Sequence, residues 1–240
     1  NVAGKVGVGK GQINLEGLSF DIIDCRVNID AIYDDESPMA ANFGVHFRAQ
    51  DFNVQRAYKE IPMFREMVTA AEKTEGIISL DYQIKGDLDG NMAPIYPSLV
   101  GGGIINLRDV KVTGLKLFSD VSSKTGQDGL NNPGMKGINI ETTIENNLID
   151  IKDFTFSVAS FRPTIKGTTS FSGLLDLKMR LGLPPGGLIG IPIVITGTHE
   201  EPKIKVFSKT GKKITEAVYN QVTNTLIKEE KVDSETEKKK

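Results

Sequence analysis

Gly76–Gly86 reads G-I-I-S-L-D-Y-Q-I-K-G, with Ile78, Leu80, Tyr82 and Ile84 alternating against Ser79, Asp81, Gln83 and Lys85. Period two is the signature of a strand with one face against apolar material and the other against water. Leu175, Leu177, Met179, Leu181 and Leu183 repeat the pattern near the end of the chain. Between and before these stretches the alternation recurs. Ile13 and Leu15 alternate, Gly17 interrupts, and Leu18, Phe20 and Ile22 resume with shifted parity, which predicts a bulge at the glycine. Val27, Ile29 and Ala31 follow, then Phe43, Val45 and Phe47, Ile105 and Leu107, Ile138 to Ile144, Ile149 and Ile151, Phe154 to Val158, Ile165, Ile191–Thr196 and Lys203–Val206. About ten strands joined by short turns imply antiparallel pairing.

Helical periodicity is confined to a few places. From Asn53 to Glu72 the apolar residues Val54, Ala57, Tyr58, Ile61, Phe64, Met67, Val68 and Ala71 step by three and four, predicting an amphipathic helix capped by Asn53 or Asp51 and kinked or split at Pro62. Leu115–Lys124 reads as a short helix, and Ile214–Lys228 carries a mild helical stripe ahead of a Lys/Glu-rich tail expected to be disordered. Met92–Leu99, with Pro94 and Pro97, has room for a short helix at most, and Thr125–Gly137 reads as a Gly/Asn/Pro loop. Two or three helices cannot cover both faces of so wide a sheet. The expected fold is therefore mainly β with a few helices (α+β): a long curved antiparallel sheet forming a groove or flattened barrel, flanked by the helix near 53–72. Residues 1–50 are expected to supply its first strands, 51–206 the main β-rich region continuous with them, and 207–240 a C-terminal helix and charged tail.

Composition narrows the function. A net charge of −2 gives no basic surface for nucleic acid. One cysteine excludes an intrachain disulfide, and Cys25, beside Ile22, Ile23 and Val27, reads as a buried thiol rather than a nucleophile. Two histidines, His46 and His199, lack partners at metal-ligand spacing. Gly4–Lys10 fits the start of a phosphate-binding loop, but Gly11 stands where Ser or Thr should, and an entry strand is the better reading. Asp87–Asn91 resembles part of a calcium loop without its ligand spacing, so Asp89-Gly90 reads as a turn. Asp34-Asp35-Glu36-Ser37-Pro38 reads as a solvated loop tip. No catalytic residue, metal ligand or cofactor site is assigned. No window approaches the roughly 18 apolar residues of a membrane-spanning helix.

The ordered series as a whole resembles a known family. The run from Ala71 to Gly103 (A-E-K-T-E-G-I-I-S-L-D-Y-Q-I-K-G-D-L-D-G-N-M-A-P-I-Y-P-S-L-V-G-G-G), then I-E-N-N-L-I-D-I-K-D-F at 144–154, G-T-T-S-F-S-G-L-L-D-L-K-M-R-L-G-L-P at 167–184 and I-T-G-T-H-E-E-P-K-I-K-V at 195–206 look like the C-terminal region of AsmA-like proteins. The resemblance covers about Asp51 to Val206. It implies a Gram-negative envelope protein, mostly periplasmic and anchored in the inner membrane through a segment outside this chain. Through kinship with TamB-like and bridge-like lipid-transfer proteins, it also implies a role in outer-membrane biogenesis and lipid transport, a β-groove that binds phospholipid or another acyl-chain lipid, and no enzymatic activity. The alternative is an interaction scaffold for outer-membrane assembly proteins. The residues expected to line a lipid groove are Ile78, Leu80, Tyr82, Ile84, Leu175, Leu177 and Met179.

Overall fold

The computed structural model describes residues 2–37, 40–61, 72–113, 116–126 and 128–207. The expected helical stripe at 214–228 and the charged tail lie outside them, as do the apolar positions Phe64, Met67, Val68 and Ala71. The strands are β1 (Val2–Gly9), β2 (Gln12–Ile22), β3 (Cys25–Ser37), β4 (Ala40–Asn53), β5 (Thr74–Leu88), β6 (Val100–Val112), β7 (Gly134–Glu145), β8 (Leu148–Thr155), β9 (Arg162–Ser170), β10 (Leu174–Gly182), β11 (Gly190–Thr198) and β12 (Pro202–Val206). The two helices are α1 (Val54–Glu60) and α2 (Lys116–Thr125). All twelve strands form one antiparallel sheet in sequence order from β1 to β12. The sheet is open: β1 and β12 do not pair, so the barrel form of the expectation does not occur and the open form does.

Several local expectations hold. The β2–β3 register shifts between Leu15 and Leu18, with Gly17 at φ 58°, so the parity switch is a bulge. Asn146 and Asn147, both at positive φ, turn β7 into β8. At the start of α1 the Asn53 side chain accepts the Arg56 N–H at 2.9 Å, satisfying a helix-end donor. The helix ends at Glu60, and Ile61, held extended by the proline that follows, is its C-cap.

Others need correction. Residues Asp34 to Ser37 continue β3 instead of turning, because Asp34 and Asp35 have registered partners in Asn42 and Ala41 on β4. The Asp89-Gly90 turn leads into a longer connection containing a 3-10 turn at Tyr96–Ser98, and the next strand begins at Val100. There Asp89 Oδ1 accepts the N–H groups of Asn91 and Ala93, so the aspartate organises a loop in place of a tight hairpin. β7 starts at Gly134, inside the expected loop, since Gly137 sits within the strand at φ 64°.

The core is concentrated at the C-terminal end. Phe118, Val121, Ser122 and Thr125 place one face of α2 inward at helical spacing, and all four are buried. This face joins Val110 and Val112 of β6, Leu177, Met179 and Leu181 of β10, Ile191, Ile193 and Ile195 of β11, and Val206 of β12 in one cluster. α2 follows β6 yet contacts β12, so β6–β12 wrap around it with their apolar face inward. Above this core, the stacked rings of Tyr96 and Phe171, 5.2 Å apart, connect the β5–β6 connection to the β9–β10 turn. A smaller cluster of Cys25, Val27, Ala49, Phe52 and Ala57 lies where α1 meets β4 and β5.

Candidate functional site

Cross-strand partners in an antiparallel sheet share a face, so registered pairs can be followed from one edge to the other. One row runs Val6, Leu15, Ala31, Val45, Ile84, Gly101, Ile144, Ile149, Thr169, Leu175, Gly197, Pro202. A second runs Leu18, Ile29, Phe47, Tyr82, Gly103, Thr142, Ile151, Gly167, Leu177, Ile195, Ile204. Neither row contains a charged residue. The opposite face carries Asp30, His46, Gln83, Thr143, Asp150, Thr168, Asp176, Thr196 and Lys203 along one equivalent row. Along these rows one face of the sheet is apolar and the other is mostly polar, although Ile32, Val100 and Ile104 stand exposed on the latter.

The two stretches expected to line a groove do come onto the same face: Ile84 and Leu175 share the first row, Tyr82 and Leu177 the second. Their surroundings differ. Leu177 and Met179 are buried under α2, 6% and 3% exposed, and their side chains belong to the closed core. Leu175 packs half-buried at the margin of that core, and Ile78 and Leu80 pack half-buried against the α1 cluster. Tyr82 and Ile84 are half-buried and belong to neither cluster.

The row Leu15–Ala31–Val45–Ile84 is likewise outside both clusters. With Val6 it crosses five strands, about 19 Å at the ordinary strand spacing. Its boundaries are built by particular residues. At one end lies the α1 cluster. At the other the β5–β6 connection folds back over Gly86, where a Cβ would lie 2.7 Å from Leu99 Cδ2, and the Tyr33 hydroxyl, on the apolar face of β3, meets Met92 Sδ at 3.8 Å. Toward β7, Tyr82 reaches across Gly103 to hydrogen-bond the Thr142 hydroxyl. A Cβ at Gly103 would lie 2.1 Å from the Asp81 carbonyl oxygen, so only glycine lets β5 and β6 approach this closely. The sequence reading did not name Leu15, Ala31 and Val45 as site residues: they were visible as alternating positions, but nothing in the pattern showed that they are half-buried and outside both clusters.

A broad open depression of about 800 Å³ lies around Gly44; Asp30, Asp34, Asn42, His46, Gln83 and Lys85 line it together with Ile32 and Val100, and the row Leu15, Ala31, Val45 and Ile84 also borders it. Its charges are largely engaged: Arg48 donates to Asp30 at 2.6 Å, Gln12 to Asp34 at 2.7 Å, and His46 Nε2 lies 2.7 Å from Asp81 Oδ1. Such exposed pairs contribute little to stability and organise the face rather than hold a ligand. No group of three or more His, Cys, Asp or Glu suited to a metal ion occurs among the described residues. Cys25 is a free, buried thiol 3.1 Å from the Gln50 carbonyl oxygen, and burial pushes its pKa up. A thiol held protonated is a poor nucleophile.

No family model matches the chain, and neither the curated proteins nor the solved structures contain a match. No helix among the described residues is long and apolar enough to cross a membrane.

Proposed function

We propose that this chain is a non-enzymatic lipid-binding module of the AsmA type, which shields the acyl chains of phospholipid on the apolar face of β1–β5. The observation that carries this reading is the row Leu15–Ala31–Val45–Ile84: it continues the apolar face of the core but joins neither packed cluster. Each methylene taken from water onto such a surface contributes about 0.8 kcal/mol, so a chain can be held without a dedicated polar site. The helix-filled C-terminal half acts as the rigid end against which this surface is built. The resemblance of residues 51–206 to AsmA-like proteins supports the same reading and adds the setting: periplasmic, attached to the inner membrane by a segment outside this chain, and serving outer-membrane biogenesis.

The test is photo-crosslinking on phospholipid vesicles. A photoreactive residue replaces Val45 or Ile84 on the apolar face, and His46 or Gln83, their neighbours on the polar face, as controls. Capture of phospholipid at Val45 and Ile84 but not at His46 or Gln83 is the expected result. Crosslinks only within the chain would mean a closed surface and end the lipid reading. Capture of protein alone in envelope extracts would return the function to the scaffold reading.

A further inference from the structure

Leu188, in the connection between β10 and β11, is 84% exposed, yet the loop that carries it is tightly held. The Leu183 N–H donates to the Ile189 carbonyl at 2.7 Å and the Gly187 N–H to the Leu183 carbonyl at 2.9 Å, so the loop closes on itself. Leu183 has no exposure and Ile189 packs against the core, which fixes both ends. The Arg180 guanidinium donates to the Gly187 and Leu188 carbonyls at 3.0 and 2.6 Å. Arg162 lies against the same loop: a Cβ at Gly187 would come within 3.0 Å of the Arg162 Cβ.

The charge around this tip is one-sided. Lys178 to Val194 contains no Asp or Glu, and neither do the neighbouring segments 162–165 of β9 and 204–206 of β12. Arg162, Lys178, Arg180 and Lys205 are exposed on the polar face of these strands. Among the described residues, Arg26, Arg48, Arg56 and Arg108 each pair with an aspartate, whereas Arg162 and Arg180 pair with no carboxylate. Lys178 stands directly opposite Lys166 on β9, and Lys205 continues the same registered row beyond Val194. Like charges set across a strand pair repel, and of these lysines only Lys166 is relieved, by Asp153 at 3.3 Å.

We propose that the 183–189 loop docks on the surface of an anionic phospholipid bilayer, with Leu188 entering the boundary between headgroups and acyl chains and Arg162, Arg180, Lys178 and Lys205 meeting lipid phosphates. The occupant follows from the pairing of cations with an apolar tip. An acidic protein or a free anion would satisfy the cations but leave Leu188 in water. A bilayer offers phosphate oxygens to the cations and an apolar layer just beneath them to the leucine. Arg180 uses only part of its donors on the loop carbonyls, which leaves others for phosphate. Because the loop is already ordered, docking costs little conformational entropy. This inference concerns the loop end of β9–β12 and does not rest on acyl chains binding to β1–β5.

The experiment is co-sedimentation of the full chain with phosphatidylcholine vesicles and with vesicles that also contain phosphatidylglycerol. Binding is expected only where phosphatidylglycerol is present, and it should fall as salt rises. Leu188→Ser is expected to weaken it about tenfold, and Arg162→Gln and Lys178→Gln about fivefold each. All three positions are exposed, so circular dichroism of each variant should match wild type. Independently, a polarity-sensitive fluorophore on Leu188→Cys, in a Cys25→Ala background, should shift to the blue on anionic vesicles. The same fluorophore on Glu200→Cys, at the opposite end of the sheet, should not. Equal binding to both vesicle types, full binding by Leu188→Ser, or a fluorophore at position 188 that stays in water would each overturn the proposal. Binding to polyglutamate without binding to vesicles would assign the cations to an acidic protein partner and overturn it as well.

Discussion

Residues 78–84 and 175–181 carry the same alternation, sit on the same face and share registered rows, yet one is half-exposed and the other ends in a sealed core. The difference lies in what the chain lays over each. β6–β12 receive α2, the 3-10 turn at Asp128–Leu130 and the Phe156–Phe161 segment, which bury Leu177, Met179 and Leu181. β1–β5 receive α1 at one end and the β5–β6 connection at the other, leaving the row between outside both clusters. An apolar strand face records that something apolar belongs on it. It does not record whether that partner is a helix of the same chain or a separate molecule.

Mutation can sharpen this comparison. Ile195→Ala, at a position with no exposure, should cost about 2–5 kcal/mol because a cavity opens in a surface that cannot collapse. Val45→Ala, on the half-buried row outside both clusters, should cost less than about 1 kcal/mol, since less packing is lost. Denaturant unfolding of both variants measures the gap, and equal losses would erase the distinction between the halves.

At the boundary between the two regions, Gly103→Ala forces a methyl group against the Asp81 carbonyl and the Tyr82 ring. A loss of about 1–3 kcal/mol is expected, as in other overpacked sites. Hydrogen exchange should show the added opening in β5 and β6 rather than in β10 and β11.

Asn53→Ala removes the cap of α1 and should cost about 1 kcal/mol. If α1 is what closes one end of the half-buried row, the same variant should increase binding of an environment-sensitive apolar dye. Substituting Asn53 by Asp, which can accept the same N–H, should restore both readouts.

The smallest effect is at Cys25. Its raised pKa means the folded state favours the thiol over the thiolate. That contribution to stability is complete below the ordinary thiol pKa and fades as pH rises through the raised value. Stability should therefore fall slightly at alkaline pH, and the fall should vanish in Cys25→Ala. Thiol-specific labelling of the native chain should be much slower than of the unfolded chain at the same alkaline pH.

Much of the architecture was legible in the residues. Period-two alternation marked most strands, Gly17 marked its bulge, Asn146-Asn147 its turn, and Asn53 the start of α1. Each of these is a local matter of backbone geometry or pleat. The errors arose where a local signal met a tertiary partner. The acidic run at Asp34–Glu36 looked like a loop, but strand partners on both sides of Asp34 kept it extended. The segment from Gly134 to Gly137 looked like a loop, but β6 holds Gly134, Met135 and Lys136 in register opposite Lys111, Val110 and Asp109. For the candidate site, Tyr82 and Ile84 were legible as apolar strand positions, while Leu177 and Met179 look identical to them in sequence and belong to the core.

By itself, the sequence determined that the chain forms a β-rich sheet with one apolar face, because side chains alternate across a strand whatever lies beyond it. Only the tertiary structure decided that the sheet stays open, that α2 fills its C-terminal half, and that an apolar row on β2–β5 is left outside the core. Those outcomes depend on where a helix from one part of the chain comes to rest on strands far away in sequence. Burial is a property of that contact, and a strand's own pattern carries no record of it.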